Sequence, residues 1–122
     1  MTTFTEQLGA CGFIISEAAG NRSRDNVTLA AAVAADMVPG TVLGKITSGG
    51  KYAAYDQQAS DGTEVAAAIL LNWADSTGAD QVVAVLNFDA EVNGDELTWL
   101  TGSPADATAG IADLLTLGIK VR

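Results

Sequence analysis

The chain has 122 residues, of which 48% are apolar and 6% aromatic, and its 15 acidic and six basic side chains give a net charge of −9. This length suits one domain with a modest core. An acidic surface repels nucleic-acid phosphates and anionic membranes, and no segment holds the roughly 20 apolar residues that span a bilayer. We therefore expect no nucleic-acid partner and no membrane partner.

The sequence offers little catalytic machinery. It contains no histidine, which excludes histidine-based triads and histidine-ligated metals. Cys11 is the single cysteine, so no internal disulfide can form. Because no base lies near it in sequence, we interpret Cys11 as a small packing residue. We expect no catalytic residue, no cofactor and no metal site.

Two groups of carboxylates remain as candidates for a site. The first surrounds Asn93-Gly94 and consists of Asp89, Glu91, Asp95 and Glu96. The second consists of Asp56 and Asp61, which bracket residues 57–60. Neither group has the spacing of a calcium-binding loop. We interpret both as solvated carboxylates of turns.

The N-terminal residues predict an extended arm over 1–11. Phe4 and Leu8 are the only large apolar side chains there besides Met1, too few to bury a face of their own. The segment also lacks the basic start and apolar stretch of a signal peptide. We expect the protein to be made in a cytoplasm and to stay there, or to leave by a route other than secretion.

Short strands are expected to follow the arm. Gly12–Glu17 is a compact apolar run that predicts the first strand, and Ala18–Asn26 predicts a loop. A second strand is expected to begin over Val27–Leu29. The alanine-rich segment Ala30–Ala35 is ambiguous and could form a helical turn before Pro39.

Turn residues divide the middle of the chain into further strands. Ser48-Gly49-Gly50 predicts a hairpin, and Asn93-Gly94 predicts a tight turn. The first expected hairpin pairs Val42–Ile46 with Tyr52–Tyr55, and the second pairs Ala90–Val92 with Leu97–Leu100. Two single strands are expected between these hairpins, over Glu64–Trp73 and Gln81–Phe88. A helix is the alternative for Glu64–Trp73.

The clearest local signal predicts a helix over 104–117. Ser103 is a suitable N-cap, Pro104 suits the first helical position and Gly118 suits the end. Its apolar face is expected to contain Ala107, Ile111, Leu114 and Leu115. Ile119–Arg122 then predicts a short terminal strand. The fold class is mostly β (β-rich α+β): a small single domain over 12–122 of short strands and hairpins with one C-terminal α-helix, preceded by the arm.

The hairpin with Lys51 raises one alternative. "GTVLGKI" resembles the strand that enters the lysine hairpin of lipoyl and biotinyl carrier domains, which would make Lys51 a modified residue in a small β carrier or binding module. The resemblance stops there. Lys51 is followed by Tyr52-Ala53 and lacks the flanking residues of those families.

A second resemblance covers nearly the whole chain. It rests on the order and spacing of "GFIISEAAGNRSRDNVTL", "PGTVLGKITSGGKYAAYDQQASDGTEVAAAIL", "DAEVNGDELTW" and "AGIADLLTLGIKVR". Together these segments resemble the head decoration proteins of tailed bacteriophages, the lambda protein D family. The stretch Ala30–Val38 departs from the pattern expected of that family.

The resemblance implies a structural role and no enzymatic activity. It implies homotrimers on the outside of the expanded phage head, at three-fold and quasi-three-fold positions, that stabilise the shell against the pressure of packaged DNA. The implied partners are the major capsid protein and other copies of the chain. The implied capsid-binding residues are those of the arm: Thr2, Thr3, Phe4, Thr5 and Leu8.

Overall fold

The computed structural model describes residues 11–31, 37–75, 78–99 and 104–122. Within these ranges the fold is mostly β with one C-terminal helix, as the sequence predicts. The strands are Ile14–Glu17 (β1), Arg24–Leu29 (β2), Val42–Lys45 (β3), Tyr52–Ala54 (β4), Ala66–Leu70 (β5), Gln81–Leu86 (β6), Ala90–Val92 (β7) and Ile119–Val121 (β8), and the helix is Pro104–Thr116 (α1).

Five strands close into a barrel in the order β2-β4-β3-β5-β6. The predicted hairpin of β3 and β4 is confirmed, with Gly49 at φ +94° in its turn, a conformation that costs glycine little. Closure depends on a parallel contact of β2 with β4 at Leu29 and Tyr52. The barrel encloses one of two apolar cores, formed by Leu29, Met37, Leu43, Tyr52, Ala68, Leu70, Ala74, Val83 and Val85.

A three-stranded sheet, in the order β1-β7-β8, lies beside the barrel. The second apolar core lies between the outer surface of the barrel on one side and this sheet with α1 on the other. Its residues include Phe13, Val42, Tyr55, Ile69, Leu71, Leu86, Val92, Leu114 and Ile119. Neighbouring residues of β5 therefore serve different cores, with Ile69 in one and Leu70 in the other. A strand buried on both faces explains why residues 66–71 are apolar throughout, and the strand expected within Glu64–Trp73 is confirmed over Ala66–Leu70.

The predicted hairpin of Ala90–Val92 with Leu97–Leu100 is wrong. Strand β7 instead pairs with β1 and β8, and Asn93 caps a 3₁₀ turn over Gly94–Glu96 by accepting the amide hydrogen of Asp95. A Cβ on Gly94 would lie 2.8 Å from Cγ1 of Val121. The glycine therefore permits close contact with the last strand, which the Asn-Gly pattern does not reveal.

The start of β2 also differs from expectation. Strand β2 begins at Arg24, inside the predicted loop Ala18–Asn26, because Arg24, Asp25 and Asn26 all pair with β6. Polar side chains are tolerated there because this end of the strand is exposed. Most of the ambiguous segment Ala30–Ala35 lies outside the described residues.

The helix prediction is right in position and partly wrong in its buried face. Helix α1 ends at Thr116, and Gly118 follows with φ +84°. Leu114 is fully buried, whereas Ile111 is 38% and Leu115 62% exposed. The buried face is centred on Gly110 and Leu114 because the Trp99 ring lies directly over Gly110 and meets Tyr55 edge-on at 5.8 Å.

Gly110→Ala should destabilise the protein although alanine favours helices. Propensity alone predicts a gain of about 1 kcal/mol. The added Cβ would lie 2.8 Å from Cη2 of Trp99, and the rigid indole cannot yield without disturbing Tyr55. We expect a net loss of about 1–3 kcal/mol in the free energy of unfolding, as for overpacked cores. Urea denaturation measures it, and a stabilised variant would show that the ring moves freely.

Candidate functional site

The arm residues predicted to bind a partner, Thr2, Thr3, Phe4, Thr5 and Leu8, lie outside the described residues. The structure describes the chain from Cys11, the last residue of the predicted arm. The Cys11 amide donates a hydrogen bond of 3.1 Å to the carbonyl of Leu71, directly after β5. The Cys11 side chain packs against the core beside the barrel. Cys11 is thus held beside the end of β5.

Two of the four carboxylates around Asn93-Gly94 have separate structural partners. Asp89 pairs with Arg22 at 2.8 Å, and Glu91 accepts hydrogen bonds from Arg122 and from the Ser16 hydroxyl. Asp95 and Glu96 are exposed in the 3₁₀ turn. Within the described ranges no three side chains form a group able to hold a metal ion.

The second acidic group stabilises its own loop. Asp61 accepts hydrogen bonds from the amide and the hydroxyl of Thr63, at 3.1 and 2.6 Å. Asp56 accepts one from the amide of Gln58 at 3.0 Å. These are local contacts typical of turn carboxylates, as predicted for Asp56 and Asp61. Glu91, in contrast, lies on strand β7 in an ion pair and is not a turn carboxylate.

Charged pairs cross the exposed side of the three-stranded sheet. Four of the six basic residues lie on or beside this sheet, namely Arg22, Arg24, Lys120 and Arg122. Arg24 contacts both carboxylate oxygens of Glu17, and this pairing holds the pKa of Glu17 below its usual value. Hydrogen bonds from the Arg122 guanidinium and, to a smaller extent, from the Ser16 hydroxyl lower the pKa of Glu91. The first pair joins β2 to β1, and the second joins the residue after β8 to β7.

Lys51 also forms an ion pair. Its Nζ lies 2.5 Å from Oδ2 of Asp80, and Asp80 also accepts the amide hydrogen of Ala31 at 2.8 Å. The pKa of Asp80 is lowered mainly by the hydrogen bond from Lys51 and, to a smaller extent, by the hydrogen bond from the amide of Ala31. Lys51 therefore joins the hairpin to the segments that flank β2 and β6. This contact accounts for Lys51 structurally and gives no support to a carrier function.

Family comparison agrees with the second resemblance. The sequence profile of the family described as bacteriophage lambda head decoration protein D matches residues 3–119. The chain belongs to this family. No curated protein matches it. The protein is accordingly a phage head decoration protein, a structural component of the virion that binds the capsid.

The family match extends over most of the predicted arm. It begins at Thr3 and so includes Phe4, Thr5 and Leu8, whereas Thr2 lies just before it. The described part of this decoration protein contains no helix long and apolar enough to cross a membrane.

The ion pairs of the decoration protein should make its stability sensitive to acid. The pKa values of Glu17, Asp61, Asp80 and Glu91 are lowered in the folded state by hydrogen-bond donors. Groups with depressed folded pKa values stabilise the fold above their unfolded pKa, here 3.8 for Asp and 4.5 for Glu, and lose that effect as the pH falls through the folded value. We expect the melting temperature to fall below about pH 4.5.

Thermal denaturation between pH 3 and pH 7 measures this dependence. Glu91→Gln should reduce the decline, because its hydrogen bonds with Arg122 and Ser16 then lack the carboxylate charge. Glu96→Gln removes the same charge from an exposed turn and serves as the control. Identical pH profiles for both variants and the natural protein would contradict a role of the Glu91 pair.

Proposed function

We propose that the protein cements the expanded phage head as a homotrimer. The trimers bind the outer surface at three-fold and quasi-three-fold positions, where the major capsid protein is the partner. They stabilise the shell against the pressure of packaged DNA. The observation that carries this proposal is the family match over residues 3–119 of the 122-residue chain.

The proposal divides the chain into an arm, residues 1–11, and a domain, residues 12–122. The arm binds the major capsid protein through Thr2, Thr3, Phe4, Thr5 and Leu8, by adding a strand to an exposed sheet edge. The anchoring of Cys11 at Leu71 supports this division, because it fixes where the arm leaves the folded domain. Phe4 is the principal anchor, since it is the only aromatic residue of the arm.

The energetics of the arm favour attachment as a trimer. Ordering residues 1–8 costs on the order of 8–16 kcal/mol in backbone entropy. About six hydrogen bonds return about 1 kcal/mol each, and burial of Phe4 and Leu8 returns roughly 2–3 kcal/mol each. The binding of one arm is therefore near neutral or unfavourable. Once the first arm of a trimer has docked, the other two arms bind at high effective concentration.

The chemistry of the surface supports a purely structural role on the outside of the head. A net charge of −9 disfavours capture of DNA and of anionic membranes during assembly in the host cytoplasm. We propose that the protein is not an enzyme. In support, Asp56, Asp61, Asp89 and Glu91 have structural hydrogen bonds or ion pairs that account for them.

Release of DNA from packed heads tests the cementing function. Undecorated, DNA-filled heads are heated with the full-length protein, with a variant lacking residues 1–8, or with buffer, and the DNA that becomes accessible to nuclease is measured. The full-length protein should raise the release temperature, and the truncated variant should have a much smaller effect. Equal release temperatures with the full-length protein demonstrably bound would refute cementing.

A further inference from the structure

The outer face of α1 is exposed and uncharged. We define it as Thr108, Ile111, Ala112, Leu115 and Thr116, all of which are exposed to solvent. Leu115 is 62% and Ile111 38% exposed, and their spacing of four residues places them on adjacent turns. Leu114, on the opposite side, already secures the helix to the core. Packing of the domain therefore does not explain the apolar residues of the outer face.

This face also lacks charge in a strongly acidic protein. Asp113 is the only ionisable residue between positions 107 and 117, and its Oδ2 accepts the amide hydrogen of Ala66 at 3.0 Å. The carboxylate is thus directed towards β5 and away from the outer face. Val65, which precedes Ala66, is 52% exposed and extends the uncharged surface beside the helix.

The charge pattern favours a second copy of the chain as the occupant. Two copies each carry −9, so their close approach is least unfavourable where neither an acid nor an ion pair must be desolvated. A basic partner would instead be attracted to the acidic remainder of the surface. The three-stranded sheet is less suitable, because contact there would bury the pairs of Glu17 with Arg24 and Glu91 with Arg122.

We infer that the outer face of α1 is the centre of the contact between neighbouring copies in the trimer. This inference rests on the proposed function, because it locates the self-association that the function requires. A stable contact buries about 800 Å² on each partner, so surface around the helix, including Val65, must contribute as well. In a three-fold ring the contact is heterologous, so the helix meets a different patch on its neighbour.

Site-specific photo-crosslinking tests the inference. A benzophenone amino acid replaces Leu115 in one variant of the full-length protein and Val82 in the control. Val82 is 71% exposed on β6 and is the matched position because it is also an exposed aliphatic residue. Each variant is bound to undecorated expanded heads and irradiated, and the adducts are identified by mass.

The Leu115 variant should form adducts between two copies of the chain at least about tenfold more efficiently than the Val82 variant. Adducts of position 115 with the major capsid protein, equal yields at the two positions, or no adduct at position 115 would overturn the inference. Those results would leave the proposed function intact as long as the variants bind heads. Failure of the natural protein to bind heads would refute the proposed function itself.

A charge substitution gives an independent measure. Leu115→Glu should weaken binding to heads by at least about tenfold, because it introduces repulsion into an uncharged contact between acidic copies. Val82→Glu adds the same charge to the barrel and should change binding by less than about threefold. Circular dichroism verifies that both variants are folded. Equal binding by the two folded variants would contradict the inference.

Discussion

Leu114→Ala should lower the free energy of unfolding by about 2–5 kcal/mol, the range measured for buried leucines. The Leu114 side chain is fully buried in the core that also contains Tyr55, Leu71 and Ile119. Its truncation leaves a cavity between α1 and the two sheets, and this cavity cannot collapse without moving several strands. Urea denaturation at low protein concentration measures the loss while limiting any contribution from self-association.

Leu115→Ala is the matched control on the same helix. The chemical change is identical, but Leu115 is 62% exposed, so we expect the free energy of unfolding to change by less than about 0.5 kcal/mol. Equal losses for the two variants would contradict the orientation of α1. An unchanged unfolding midpoint for Leu114→Ala would contradict the burial of that side chain.

Removal of residues 1–8 should abolish most capsid binding and leave the melting temperature nearly unchanged. Residues 1–8 have little apolar surface to contribute to the domain, and the truncated variant retains the hydrogen bond of Cys11 to Leu71. Burial of Phe4 contributes roughly 2–3 kcal/mol per arm, and three arms act together on one trimer. We expect binding to heads to weaken by more than about 100-fold, which corresponds to about 3 kcal/mol.

Phe4→Ala separates the anchor from the rest of the arm. A pelleting assay compares the full-length protein, Phe4→Ala and the truncated variant on expanded heads that lack decoration. The fraction of Phe4→Ala that pellets with heads should lie between those of the other two proteins and closer to that of the truncated variant. Equal pelleting of all three proteins would mean that the domain surface alone binds the head, and the proposed role of the arm would be refuted.

Local signals predicted much of the fold. The glycine-containing turn of the β3–β4 hairpin, the β-branched residues of β6 and the proline and glycine that flank α1 are each determined by nearby residues. Strand β5 was also predicted, although its two buried faces made a helix an alternative. In these cases the residue types that favour an element are the same ones that the tertiary structure requires.

Long-range pairing was not predictable in the same way. Strand β7 pairs in parallel with β8, which lies beyond α1 in sequence, and no local pattern identifies this partner. The Asn93-Gly94 pair suggested a hairpin because glycine suits tight turns, whereas Gly94 is needed for its contact with Val121. The sequence predicted one buried face of α1 with Ile111, Leu114 and Leu115, but only Leu114 is buried. The contact of Trp99 with Gly110, which lies on the buried side, has no local signal in the sequence.

The candidate site was predictable in part. Composition alone suggested an arm, and the order of sequence segments suggested the family that the comparison confirms. The ion pairs of Glu91 with Arg122 and Lys51 with Asp80 join distant parts of the chain and required the structure. The exposed, uncharged face of α1 also became visible only when the buried side of the helix was known.

Electron cryo-microscopy of expanded heads tests the central claim most directly. Heads that lack decoration are imaged alone and after incubation with the full-length protein, under identical conditions. We predict additional density on the outer surface, with three-fold symmetry, at the three-fold and quasi-three-fold positions of the shell. Identical images with and without the protein, or added density at other positions, would contradict a decoration protein that binds as trimers on the outside of the head.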